Sequence, residues 1–110
     1  MLNPIVSVVT CHHVGNFIYK FVESAKKQTV PCEIIVMTSN DELASKGIKD
    51  CIVMYHPGMP AAKRNAGVRL AKCEYVGFFD DDVEIEPDCL QKLLFQLDTE
   101  NVGMVFGKLH

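Results

Sequence analysis

The chain has 110 residues, 48% of them hydrophobic and 23% charged, a balance that belongs to one ordinary globular domain rather than to a disordered or fibrous segment. Eleven Lys and Arg against fourteen Asp and Glu give a net charge of -3, which speaks against a nucleic-acid binder resting on a broad basic surface. No apolar run approaches the roughly 18 residues of a membrane span, and the apolar start at residues 5–10 lacks the basic flank and cleavage site of a leader, so a mature soluble protein is expected.

In chain order, residues 5–10 (IVSVVT) are β-branched and almost continuously apolar, as in a strand buried on both faces. Ile18, Phe21, Val22 and Ala25 then recur at helical spacing, with Lys20, Glu23, Lys26 and Lys27 on the other side, which predicts an amphipathic helix over about residues 16–28. Residues 33–38 (EIIVMT) form a second strand that runs into Ser39-Asn40-Asp41-Glu42, a turn or the start of a short helix. A third strand at 51–55 (CIVMY) ends at His56-Pro57-Gly58, a loop signal. Pro60 suits the first turn of a helix, and residues 61–72 are rich in helix formers apart from Gly67. The fourth strand, 75–79 (YVGFF), empties directly into Asp80-Asp81-Asp82. A last helix starts near Pro87 with Leu90, Leu93, Leu94 and Leu97 on one face, and residues 102–106 read as a fifth strand. This alternation, with little loop between elements, implies an α/β domain around a mostly parallel sheet.

The five cysteines, at 11, 32, 51, 73 and 89, are odd in number and widely spaced, so neither a disulfide framework nor a structural zinc site is expected, and a reducing cytoplasm is the simplest compartment. Cys11, His12 and His13 are adjacent, but neighbours on an extended chain point to opposite sides and do not share one ion.

Charge placement says more than its total. Lys63, Arg64, Arg69 and Lys72 crowd one helix, whereas Asp80, Asp81, Asp82, Glu84, Glu86 and Asp88 crowd the segment after the next strand. Ligands of open α/β sheets bind at the carboxyl ends of strands, and Asp80 to Asp82 occupy such an end. Carboxylates there suit Mg²⁺ or Mn²⁺ with open positions for phosphate oxygens. Lys63 and Arg64, near the start of their helix, are placed to meet the remaining phosphate charge. Three successive carboxylates repel one another unless a cation relieves them, which weighs against a merely solvated loop. Two other Asp motifs fail on spacing. A calcium EF-hand loop from Asp80 requires Gly at 85 and Glu at 91, where the chain has Ile85 and Gln91. A phosphatase of the haloacid dehalogenase type wants Thr or Val where Glu84 stands.

The run Gly58-Met59-Pro60-Ala61-Ala62-Lys63-Arg64-Asn65-Ala66-Gly67, followed by Glu74-Tyr75-Val76-Gly77-Phe78-Phe79-Asp80-Asp81-Asp82 and Pro87-Asp88-Cys89-Leu90, resembles the donor-binding half of family-two glycosyltransferases. Ser24-Ala25-Lys26-Lys27-Gln28-Thr29, closing the first helix, is similar to that family as well. The resemblance implies a Rossmann-like GT-A fold, a three-layer α/β/α sandwich, and metal-assisted transfer of a sugar, with inversion, from a nucleotide-diphosphate-sugar of UDP or GDP type to a saccharide, lipid or protein acceptor. It implies that Asp80 and Asp82 hold the Mg²⁺ or Mn²⁺, with Asp80 and Asp81 also facing the nucleotide sugar, and that Arg64 lies near the diphosphate or base. Asn65 and Gly67 read as structural.

The chain departs from the family pattern in several places, the least of them Val83 where a third acidic residue is frequent. Thr38-Ser39 stand where the family has an acidic pair whose first member reads the base, so a hydroxyl replaces a charge. Thr10-Cys11-His12-His13 replace the usual end of the first strand, which leaves Cys11 and His12 as candidate nucleotide contacts, His12 by stacking on the base. The family's acceptor half and general base are expected beyond residue 110, so residues 1–110 read as one nucleotide-sugar-binding domain. A face left without that half would favour self-association. The competing reading is a truncated or degenerate nucleotide-binding or scaffold domain without transferase activity.

Overall fold

A computed structural model of the chain describes residues 3–100. Its elements are β1 (Val6–His12), α1 (Phe17–Lys26), β2 (Cys32–Thr38), α2 (Asp41–Lys46), β3 (Ile52–Tyr55), α3 (Pro60–Leu70), β4 (Tyr75–Asp80) and α4 (Cys89–Glu100). The expected strand at 102–106 lies outside the described residues. All pairings are parallel, and the four strands lie in the order β3-β2-β1-β4. That order reverses direction between β1 and β4, which is where a doubly wound sheet opens a crevice at its carboxyl edge.

Alternation along the strands builds two cores. Val6, Val8, Ile34 and Val36 face Ile18, Phe21, Val22 and Ala25 of α1, with Leu43 of α2 and Cys89 and Leu90 of α4. Burying a side chain as completely as Phe21, which is 0% exposed, stabilises by about 1.5–3 kcal/mol. Phe21 also packs against the ring of Phe79, 6.1 Å between centroids. On the other face Val9, Ile35 and Met37 meet Ala66, Leu70 and Ala71 at α3. The result is the expected three-layer α/β/α arrangement. No helix among the described residues is long and apolar enough to cross a membrane.

Element ends differ from the sequence reading for identifiable reasons. β1 runs two residues past Thr10 because Cys11 and His12 still pair with Met37 and Thr38, and Cys11 also pairs with Asp80. α3 stops at Leu70 rather than residue 72 because Ala71 turns extended, at ψ 133. The Lys72 amide then donates to Glu33 Oε2 at 3.0 Å. The same carboxylate oxygen accepts from Ser7 Oγ at 2.6 Å, and Ser7 Oγ accepts from the Cys73 amide at 3.2 Å. This network joins β1, β2 and the α3–β4 link at the amino end of the sheet.

Gly67 is where α3 comes closest to β1, since a Cβ there would lie 2.6 Å from Val9 Cγ1 and 3.3 Å from Met37 Cγ. Gly67→Ala is expected to destabilise by about 1–3 kcal/mol in urea unfolding, because neither contacting side chain has space to retreat. Thr10 presents the opposite case. It is 1% exposed, and its hydroxyl has no hydrogen-bond partner among the described residues. Replacing it with the similarly shaped Val removes a buried unsatisfied group, so Thr10→Val should raise unfolding stability by about 1 kcal/mol. A lower urea midpoint for this variant would contradict that account.

Candidate functional site

At the reversal between β1 and β4 the carboxyl ends form an open cavity of about 310 Å³ lined by Cys11, Pro60, Arg64 and Asp80, Asp81 and Asp82, over Val9, Phe78 and Phe79. A larger recess of about 510 Å³ runs along α1 opposite residues 84–87. Its rim mixes Lys20 and Lys27 with Glu23 and Glu84, so it concentrates no single chemistry. The smaller cavity gathers the residues singled out in the sequence.

Each side chain reaches the cavity for a local reason. Cys11 and Asp80 are paired neighbours on β1 and β4, and both fall on the α3 side by the two-residue alternation of strands. Arg64 projects from the first turns of α3, which begins with Pro60 after an extended Met59. Asp80 and Asp82 are exposed and Asp81 is half-buried. No ion pair joins Arg64 or any of the three Asp residues among the described residues, whose salt bridges are Lys26–Glu23 and Lys92–Asp88. The cavity thus presents both signs of charge without internal neutralisation. Burial pushes the Asp81 carboxyl above its ordinary range, and the neighbouring Asp82 and Asp80 carboxylates add to that push. Burial also raises the Cys11 thiol, against a pull down from Arg64 and Lys63 and a push up from Asp81 and Asp80, so Cys11 is a lining group rather than a ready thiolate.

Lys63 sits differently from the expected phosphate contact. It is 4% exposed, and its Nζ donates to the His12 carbonyl at 3.2 Å and to Ser39 Oγ at 3.0 Å. On a helix, residues 63, 66, 67 and 70 share one face, and here that face is the sheet-facing one. Lys63 therefore ties α3 to the ends of β1 and β2, while Arg64, one residue on, faces the cavity.

His12 and Thr38 also depart from expectation. His12 is 2% exposed and Thr38 is 0% exposed, so neither presents a surface for a base to stack on or bond to. The His12 ring lies between Thr38 Oγ1 at 2.8 Å and the Gly15 carbonyl at 3.0 Å. Ser39 is half-buried, with Oγ 2.6 Å from His13 Nδ1. His13 is exposed and lies just past β1, outside the cavity lining. Pro60 and Phe78, which is 49% exposed, also line the cavity; both stand within the runs that resemble the family, but an apolar side chain there gives no chemical signal of a site. Cys11, Arg64, Asp80, Asp81 and Asp82 are the expected residues that the fold brings together; Lys63, Ser39, Thr38 and His12 form a support beside them.

Among the described residues no three His, Cys, Asp or Glu side chains are gathered as a metal-ligand set. The donors available are the exposed carboxylates of Asp80 and Asp82. Carboxylate oxygens are the hard donors that small divalent ions take.

The raised Asp81 predicts a pH-dependent effect. The folded state holds the Asp81 proton more tightly than the unfolded chain, so the ionised carboxylate costs stability that is absent below the ordinary Asp range and builds as pH rises through the folded value. Asp81→Asn should therefore raise the melting temperature at pH 7, and the gain should shrink as pH falls through about 4. Melting curves with a pH-independent difference would contradict this.

Comparison with known proteins follows the same lines. The model of the family described as Glycosyl transferase family 2 matches residues 7–110. No curated protein matches the chain. Among solved structures, the crystal structure of S. aureus TarS superposes with a TM-score of 0.71 at 22% identity, covering 88% of this chain and 20% of that one. The structure of S. aureus TarS 1-349 gives 0.67 at 22% identity over 88% of this chain and 33% of that one. The chain thus spans about one-fifth and one-third of these two, and the likeness bears out the expected GT-A fold.

Proposed function

The chain belongs to glycosyl transferase family 2, and from that premise we propose that its carboxyl-end cavity holds the diphosphate of a nucleotide-sugar donor. The observation that carries this reading is the convergence of Arg64 with Asp80, Asp81 and Asp82 in one cavity with no ion pair among them. Asp80 and Asp82 would hold Mg²⁺ or Mn²⁺, and the bound ion would supply Lewis-acid stabilisation of the departing nucleoside diphosphate. Arg64 meets phosphate charge from the other side, where a guanidinium gives paired donors. Lys63 acts from beneath, holding the ends of β1 and β2 in place. Phosphate oxygens would add donors to an ion held by Asp80 and Asp82, so metal and nucleotide are expected to bind together more tightly than either alone.

No described residue is assigned as the base that deprotonates the acceptor: the carboxylates lining the cavity are those of the Asp80 to Asp82 cluster, which the cation engages. No described residue is assigned to the acceptor, whether saccharide, lipid or protein. A second reading, a nucleotide-holding domain without turnover, draws on the end of β2. Thr38 is buried there and Ser39 is bonded to Lys63 and His13, so no carboxylate is offered to a base.

Calorimetric titration of UDP and GDP with and without Mn²⁺ tests the donor site. Binding is expected only with the metal, with loss in Asp82→Ala. Arg64→Ala should weaken it about 10–100-fold, as for a lost hydrogen bond to a charged group. Absence of metal-dependent binding to either nucleotide would sink the proposal. Slow release of UDP or GDP from the matching sugar donor distinguishes the transferase from the holding domain.

A further inference from the structure

We infer that His12 is a positioning residue, held as the neutral ring with its proton on Nε2, and that it fixes the β1–α1 loop against the end of β2 beneath the candidate site. The assignment follows from donor and acceptor accounting. His12 Nε2 lies 3.0 Å from the Gly15 carbonyl, which can only accept, so Nε2 carries a hydrogen. His12 Nδ1 lies 2.8 Å from Thr38 Oγ1, and that oxygen already accepts from the Asn40 amide at 2.9 Å. With a neutral ring, the Thr38 hydroxyl gives its hydrogen to Nδ1 and every group is satisfied. A doubly protonated ring would make Thr38 Oγ1 accept twice and strand its own hydrogen at a residue that is 0% exposed, an expensive arrangement for a buried hydroxyl.

The connections reach further than one ring. Gly15 has φ 96, a conformation in which glycine is at ease, and its carbonyl is turned to the imidazole. Asn40, whose amide bonds Thr38, accepts at Oδ1 from the Leu43 amide at 3.0 Å and so caps α2. The His12 carbonyl accepts from Lys63 Nζ at 3.2 Å and from the Ser39 amide at 3.0 Å. His12 is thereby the junction of the β1–α1 loop, the β2–α2 turn and the first turns of α3. The role of these elements in holding a donor rests on the function proposed above; the state of the ring does not.

The test is a long-range proton–nitrogen spectrum of the full chain near neutral pH. The expected result is an Nε2–H ring for His12. In Thr38→Val, which deletes the hydroxyl and keeps the branched shape, the tautomer preference should weaken and the Asn40 amide should exchange at least about tenfold faster. Thr38→Ser should restore both, and unchanged core methyl shifts verify that the variants are folded. A ring protonated on Nδ1 alone, a doubly protonated ring, or a Thr38→Val variant indistinguishable from the parent would overturn the inference. In the same samples, Mn²⁺ with UDP or GDP should bind less tightly to Thr38→Val than to Thr38→Ser. A parent chain with the Nε2–H ring and no nucleotide binding would strike the transferase reading and leave the assignment of His12 supported.

Discussion

The ammonium group of Lys63, sunk between the ends of β1 and β2, is the contact on which the carboxyl edge of this domain depends. Its bonds among the described residues are to the His12 carbonyl and the Ser39 hydroxyl, so there a buried cation is held by neutral oxygens. Such a group is costly to desolvate. It is tolerated because it docks the start of α3 where two strands end, while Gly67, four residues later on the same face, lets the helix approach Val9. A helix pinned at these two points has little freedom to roll. Arg64 is consequently aimed at the cavity between β1 and β4 by the burial of its neighbour.

The strand alternation does the rest. β1 carries Cys11 and His12 on successive positions of its last turn of pleat, and the two serve different layers. Cys11 joins Asp80 in the cavity, whereas His12 is bonded to Thr38 and Gly15 on the α1 side. The same holds on β2, where Thr38 belongs to the buried support and Ser39 to the edge beside Lys63. One pair of adjacent residues on each strand thus links a lining position to the brace behind it. Movement in the loop after β1 would be felt at both.

Much of this was legible in the sequence. The β-branched runs, the i, i+3, i+4 stripe of α1, and the acidic end of β4 each follow from a periodicity or a punctuation residue, and the structure places them as read. Lys63 was not legible, because a stripe of Lys63, Ala66, Gly67 and Leu70 has a charge at its first position and so looks like an exposed face. Nothing short of knowing what it would bond distinguishes such a lysine from a solvated one. His12 failed for a related reason. The strand was expected to end at Thr10, which leaves His12 in a loop, and only the continued pairing with Thr38 turns its ring inward. The Ser7–Glu33 network was invisible because its partners lie 26 residues apart.

The two ends of the sheet differ in how far their polar groups are satisfied, and the difference falls at the edge where the donor site is proposed. At the amino end, Ser7, Glu33 and the amides of Lys72 and Cys73 answer one another's hydrogen-bonding needs. Toward the carboxyl end, among the described residues, stand a Thr10 hydroxyl without a hydrogen-bond partner, a buried Lys63 without a carboxylate, a half-buried Asp81 pushed toward its protonated form, and an Arg64 that faces carboxylates without closing an ion pair. Sequences that fold well keep local preferences consistent with the whole, and their departures gather where something other than stability is being served. A ligand carrying both cationic and anionic parts would relieve the open charges of the cavity at once, and neither part alone would do so.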